Sequence, residues 1–226
     1  MVACVVVVLG GCAAPDLGEG LADPRPLEAD PCWPDGGRAF VGGTEAAPVD
    51  VVMLGEGTDG LLLLPGSGGN YCQWAEQAQR LVEQGYMVAS VSWQWADTLM
   101  SVRAGAAALQ DAGVKRYVII GSSLGGAQAV IAARELRPEP VGVIGLSPSY
   151  VPDVAADDYD GPLLVIASTH DPTFSIKTSR AVARAGEPDT FVELSGTAHG
   201  LQLLRGEHRA DVEHMVDEFL ADAFSD

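Results

Sequence analysis

Tyr117-Val118-Ile119-Ile120-Gly121-Ser122-Ser123-Leu124-Gly125-Gly126-Ala127 decides the reading of this chain. The first four residues form a short apolar run, rich in β-branched and aromatic side chains, as a buried strand requires. From Leu124 to about Leu136 the pattern becomes helical. Between them, Gly121-Ser122-Ser123-Leu124-Gly125 fits G-x-S-x-G. Alone the pentapeptide is a weak signal. Placed between a strand and a helix it is a strong one, because a sharp strand-to-helix turn lifts a serine Oγ off the end of a sheet. Side chains two positions either side of that serine would collide, and Gly121 and Gly125 remove them. Ser123 is therefore the candidate nucleophile, and Ser122 is out of register.

Outward from this turn, strands and helices alternate. Val49–Leu54, Leu61–Leu64, Tyr86–Ser92, Val141–Leu146, Leu163–Ala167 and Thr190–Leu194 read as strands. Gln73–Gln84, Thr98–Asp111 and Ser175–Ala185 read as helices, and so does a final segment with Val212, Met215, Val216, Phe219, Leu220 and Ala223 at helical spacing. This pattern implies an α/β fold with a mostly parallel sheet covered by helices on both faces. Sites in such sheets lie at the carboxyl ends of the strands.

Three further segments stand at those ends. Leu61–Leu64 runs into Pro65-Gly66-Ser67-Gly68-Gly69-Asn70. Glycines let the backbone approach a substrate, so the Ser67 and Leu124 amides are the expected oxyanion donors, with Gly68 the neighbouring alternative. A phosphate loop fits less well, because no Gly-Lys-Ser/Thr follows and the spacing misses the dinucleotide fingerprint. His199, past the last strand in Ser195-Gly196-Thr197-Ala198-His199-Gly200, is the expected base. His170 is a rim candidate. His208 and His214 fall on the charged side of the last helix and are expected to be solvated. Asp171, after Leu163–Ala167, is the expected acid that orients the imidazole. Asp153, Asp157 and Asp158 are the alternatives.

The order Ser123, Asp171, His199 is that of the α/β-hydrolases. From about Arg38 to the C-terminus the chain resembles that superfamily, and its compactness is similar to the dienelactone-hydrolase-like branch. That branch often has a cysteine nucleophile, whereas this chain has Ser123. The resemblance implies a serine hydrolase, of esterase or lipase-like type, acting through an acyl-enzyme without metal or cofactor. Amidase, peptidase, thioesterase or acyltransferase chemistry would use the same triad, and an inactive scaffold serving as an exported binding protein is a further alternative. Between Leu146 and Leu163 lie only 16 residues, too few for the helical cap common in the superfamily. An open site follows, with Trp93, Trp95, Met100, Tyr150 and Phe174 as candidate pocket residues; packing at the core edge is the other reading of these five.

The chain has 226 residues, 47% of them hydrophobic, enough for one sizeable core. Asp and Glu number 31 against 13 Lys and Arg, a net charge of -18, which disfavours nucleic acid and anionic surfaces as partners. A small ester or acyl compound is the expected partner.

Val2–Leu9 is almost wholly apolar, too short to span a membrane but suited to a signal peptide. Leu9-Gly10-Gly11-Cys12 resembles a bacterial lipobox, although no Lys or Arg precedes the run. The expected organisation is a signal over 1–12, a flexible acidic tether over 13–37, and the α/β-hydrolase domain over 38–226. Export follows, as a lipoprotein anchored through Cys12 or as a periplasmic or secreted protein. Cys32 and Cys72 remain as one possible disulfide for an oxidising compartment. Such a bridge would pin the tether beside the oxyanion loop, and its reduction would loosen that loop.

Overall fold

The computed structural model describes residues 21–149, 159, 161–183 and 191–225. Cys12 with the apolar run around it, Tyr150, and the alternative acids Asp153, Asp157 and Asp158 lie outside these residues, as does most of the connection between Leu146 and Leu163.

Among the described residues, nine strands form one sheet: β1 (Arg25–Pro26), β2 (Arg38–Gly43), β3 (Pro48–Leu54), β4 (Asp59–Leu64), β5 (Met87–Val91), β6 (Arg116–Ser122), β7 (Gly142–Leu146), β8 (Leu163–Ser168) and β9 (Phe191–Leu194). Their order across the sheet is β1-β2-β3-β5-β4-β6-β7-β8-β9. Pairing from β5 through β9 is parallel, whereas β1, β2 and β3 add antiparallel partners at one edge. The helices are α1 (Ala75–Glu83), α2 (Thr98–Asp111), α3 (Leu124–Ala133), α4 (Ile176–Val182) and α5 (Arg209–Ala223).

Alternation along each strand sends side chains to two separate cores. Leu62, Leu64, Ala89, Val91, Ile119, Val143 and Val165 pack with Val102 and Leu109 of α2, Ala129 and Val130 of α3 and Val182 of α4. Leu61, Leu63, Val88, Ile120, Ile144, Leu146 and Ile166 pack with Ala78 and Leu81 of α1 and Val212, Val216 and Leu220 of α5. Leu61 to Leu64 are all completely buried, which is why β4 is an unbroken leucine run rather than an alternating one.

Two expectations change here. The segment 21–37 does not behave as a free tether where it is described. β1 pairs with β2, Trp33 is only 4% exposed, and its indole Nε1–H donates to the Met53 carbonyl at 3.3 Å. Trp33 also meets the Tyr71 ring edge-on at 5.9 Å. A disulfide joins Cys32 to Cys72, with Cα atoms 5.5 Å apart. A large apolar ring and a covalent bridge outweigh the polar composition of the surrounding residues. Second, Gln73 and Trp74 belong to a 3-10 turn over Tyr71–Trp74, because the Asn70 side chain accepts the Cys72 amide at 3.1 Å and caps the turn there; α1 starts only at Ala75.

Candidate active site

Ser123 stands between β6 and α3 with φ 52° and ψ −113°, a left-handed conformation that costs a non-glycine residue about 1–3 kcal/mol. The surroundings hold it there. The Ser123 amide donates to the Leu146 carbonyl at 2.9 Å, and the Ser123 carbonyl accepts the Ser149 amide at 3.0 Å, so the end of β7 clamps the turn. A Cβ on Gly121 would lie 2.2 Å from the Gly125 backbone, and one on Gly125 would lie 2.3 Å from the Leu64 carbonyl oxygen. The second glycine thus admits β4 and the loop after it, rather than only clearing Gly121.

That loop is Pro65–Asn70. The Gly66 amide donates to Gln73 Oε1 at 2.8 Å, and the Gly69 amide donates to the Gly66 carbonyl at 3.1 Å. From beneath, Trp93 Nε1–H donates to the Pro65 and Gly66 carbonyls at 3.1 and 3.2 Å. Gly66 faces the Ser123 side chain. Leu124 is the first residue of α3, so its N–H has no helical acceptor and remains directed at the cleft end of the helix.

His199 follows β9 and Asp171 follows β8. His199 Nδ1–H donates to Asp171 Oδ2 at 2.6 Å. The other Asp171 oxygen accepts the Thr173 and Phe174 amides at 2.8 and 3.3 Å. The Asp171 side chain is 2% exposed and that of His199 18% exposed, so the carboxylate is buried while the ring still reaches the surface. Backbone bonds from Thr169 to Leu194 (2.8 Å) and from His170 to Gly196 (2.9 Å) tie the loop carrying Asp171 to the loop carrying His199. Phe174 sits against the imidazole, its ring centre 5.8 Å away.

A cleft of about 500 Å³ opens over these strand ends, within the range of small-molecule sites. Ser67, Ser122, Ser123, Phe174, His199 and Arg205 are among its lining residues. A second cavity of about 490 Å³, between residues 22–25 and β2, contains neither serine nor histidine.

The pocket placements of Trp93, Trp95 and Met100 and the solvated placement of His208 are corrected. Trp93 is not a pocket residue: it is buried under the Pro65–Asn70 loop, where its N–H finds two carbonyl acceptors. Trp95 is 58% exposed and does not line the cleft. Met100 packs against the core beneath α2 and α3. His170 is exposed. His208 is not free in solvent, since its Nε2–H donates to the Ser195 carbonyl at 2.7 Å; His214 is exposed beside Glu218. Sequence reasoning did not single out Gln73, although a long amide side chain eight residues after a strand-end proline is the type of residue that can fold back on a glycine loop.

No protein-family model and no curated protein matches the sequence. Solved structures do match. Est1E from Butyrivibrio proteoclasticus superposes with a TM-score of 0.68 at 15% identity, over 83% of this chain and 99% of its own. The chain has the α/β-hydrolase fold. A dienelactone hydrolase-like promiscuous phosphotriesterase from metagenomic libraries gives 0.66 at 17%, over 84% of this chain and 98% of its own. Thermogutta terrifontis esterase 2, solved phosphonylated by sarin, gives 0.67 at 17%, over 84% and 96%.

Proposed function

We propose that this α/β-hydrolase chain is a serine esterase that cleaves small carboxylic esters through an acyl-enzyme. The observation that carries the reading is the buried Asp171 carboxylate held on His199 Nδ1, with Ser123 lining the same cleft. The carboxylate fixes the tautomer with hydrogen on Nδ1, which leaves the Nε2 lone pair free. Nε2 takes the Ser123 proton as Oγ attacks the ester carbonyl, and the Ser67 and Leu124 amides receive the oxyanion. Collapse of the tetrahedral intermediate expels the alcohol, which takes its proton from His199. A water, deprotonated by the same nitrogen, then releases the acid and restores Ser123. Phe174 offers an apolar wall for part of the substrate. Phosphonylation of the Thermogutta esterase supports the use of an organophosphorus probe on this chain.

The test is turnover of short-chain p-nitrophenyl esters together with fluorophosphonate labelling. Ser123→Ala and His199→Ala should each lose about 10³-fold or more in kcat. Asp171→Asn should lose about 10³–10⁴-fold, because the amide no longer holds the productive tautomer. Labelling that survives Ser123→Ala would rule out the nucleophile. A folded wild-type protein that neither turns over esters nor takes the probe would favour the inactive-scaffold alternative.

We further place the protein outside the cytoplasm, anchored through Cys12, on the lipobox-like Leu9-Gly10-Gly11-Cys12. Mass spectrometry of the exported protein should find a diacylglyceryl group on Cys12 that Cys12→Ala removes.

A further inference from the structure

The residue before the nucleophile makes a contact that the chemistry above does not use. Ser122 is the last residue of β6 and is 4% exposed. Its Oγ accepts the Leu201 amide at 3.1 Å. Leu201 belongs to the 3-10 turn over Gly200–Leu204, which begins immediately after His199. That turn is itself tied to His199: the His199 amide donates to Gln202 Oε1 at 2.9 Å, and the Gln202 amide donates to the His199 carbonyl at 3.0 Å. Leu203 and Leu204 pack in the same core as Ile120, on the sheet face to which Ser122 also points by strand alternation. The intervening residue shows how close the approach is. Gly200 has φ +55°, and a Cβ there would stand 2.4 Å from Ser122 Oγ but 3.7 Å from Ser122 Cβ and 3.8 Å from the Ser123 amide nitrogen. The hydroxyl alone fills the space that a side chain at 200 would need.

We propose that Ser122 is a positioning residue whose hydroxyl, by holding the Leu201 N–H, sets the distance between the strand end carrying Ser123 and the loop carrying His199. The inference rests on the reading that Ser123 and His199 act together. Its chemical basis is directional. The Ser122 and Ser123 side chains leave adjacent backbone positions, one toward the imidazole loop and the other toward the substrate. Any shift of β6 therefore moves the nucleophile and the anchor of the base together, and their separation is preserved.

Ser122→Ala removes the acceptor without adding volume. For p-nitrophenyl acetate, kcat should fall about 10–100-fold while KM stays within about twofold, the signature of a misplaced reacting group rather than a lost binding contact. The rate of fluorophosphonate labelling should fall in parallel. Gly200→Ala should lower kcat at least as far, since the new methyl meets the hydroxyl. In the double variant the clash with the hydroxyl is gone and only the cost of an alanine at φ +55° remains, so Gly200→Ala should cost clearly less on the Ser122→Ala background than on the wild type. Wild-type kcat in Ser122→Ala, a change confined to KM, or fully multiplicative losses in the double variant would each overturn the proposal. So would loss of the native circular dichroism spectrum in both single variants, because the hydroxyl would then act on folding rather than on the imidazole. Retained activity in Ser123→Ala, measured alongside, marks failure of the underlying site reading instead.

Discussion

Breaking the Cys32–Cys72 bridge should lower stability far more than activity. The bridge closes a segment with a sequence separation of 40. In the chain-entropy account, constraining the unfolded chain over such a loop is worth about 4 kcal/mol at 25 °C. For a domain of this size that corresponds to a fall of about 8–16 °C in the unfolding midpoint. The site is better protected. Gly66 is held by Gln73 Oε1 and by Trp93 Nε1–H, and neither contact passes through the sulfurs. The 21–37 segment keeps its own attachments: Trp33 on Met53 and Tyr71, and the Asp30 amide donating to the Tyr71 hydroxyl at 3.0 Å. The structure thus narrows the expectation that reduction loosens the oxyanion loop. Well below the transition, kcat of the reduced protein should stay within about threefold of the oxidised one. Thermal unfolding followed by circular dichroism, with and without a phosphine reductant, measures the first quantity, and initial rates at 25 °C the second. The Cys32→Ser/Cys72→Ser variant should reproduce the reduced midpoint and be insensitive to reductant. An unchanged midpoint would refute the entropic argument. Collapse of kcat with the midpoint intact would refute the independence of the loop.

Two other perturbations address different parts of the fold. Trp93→Phe keeps the ring but removes the N–H that supports Pro65 and Gly66, so kcat should fall about tenfold and stability by about 1–3 kcal/mol, measured by initial rates and urea unfolding; unchanged kcat would mean that Gln73 suffices to shape the loop. Tyr117 is almost fully buried, and burial, with Tyr159 and Glu139 nearby, pushes its phenol well above the ordinary value of 10.0. The unfolded phenol ionises near that ordinary value while the folded one stays protonated. Its contribution is therefore complete below pH 10 and is lost as the pH rises from there toward the folded value. Unfolding midpoints of wild type should decline more steeply above pH 10 than those of Tyr117→Phe, and parallel profiles would assign the alkaline loss to other groups.

Most of the parallel sheet was legible because burial on both faces leaves its strands as short apolar runs. The α2 boundaries, Thr98–Asp111, agree with the sequence expectation, helped by Asp97, whose side chain caps the Met100 amide at 3.0 Å. Asp171 and His199 were singled out by a positional rule rather than by local pattern: each follows the carboxyl end of a parallel strand, β8 and β9, two and three places beyond β6 in the sheet. β2, Arg-Ala-Phe-Val-Gly-Gly over Arg38–Gly43, gives a weak signal because it lies toward the sheet edge, only partly buried and with two glycines. The Trp93 assignment failed for a different reason. An aromatic residue after a strand end fits a pocket wall and a loop support equally well, and only the carbonyls of residues 65 and 66, nearly thirty positions earlier, decide between them.

The segment 21–37 shows most clearly where composition stops being informative. Its proline, aspartate and glycine content describes the average residue, and the average residue there is indeed exposed. Folding depends instead on the exceptions. Burying one tryptophan contributes on the order of 3 kcal/mol, and closing a 40-residue separation with a disulfide contributes a comparable amount. Both act through Tyr71 and Cys72, next to the Pro65–Asn70 loop, so the polar residues around Cys32-Trp33 are carried into place by two anchors they do not resemble. A windowed reading averages those anchors away. Counting large apolar side chains and potential cross-links one by one would have joined Cys32-Trp33 to the domain and moved its start toward residue 21.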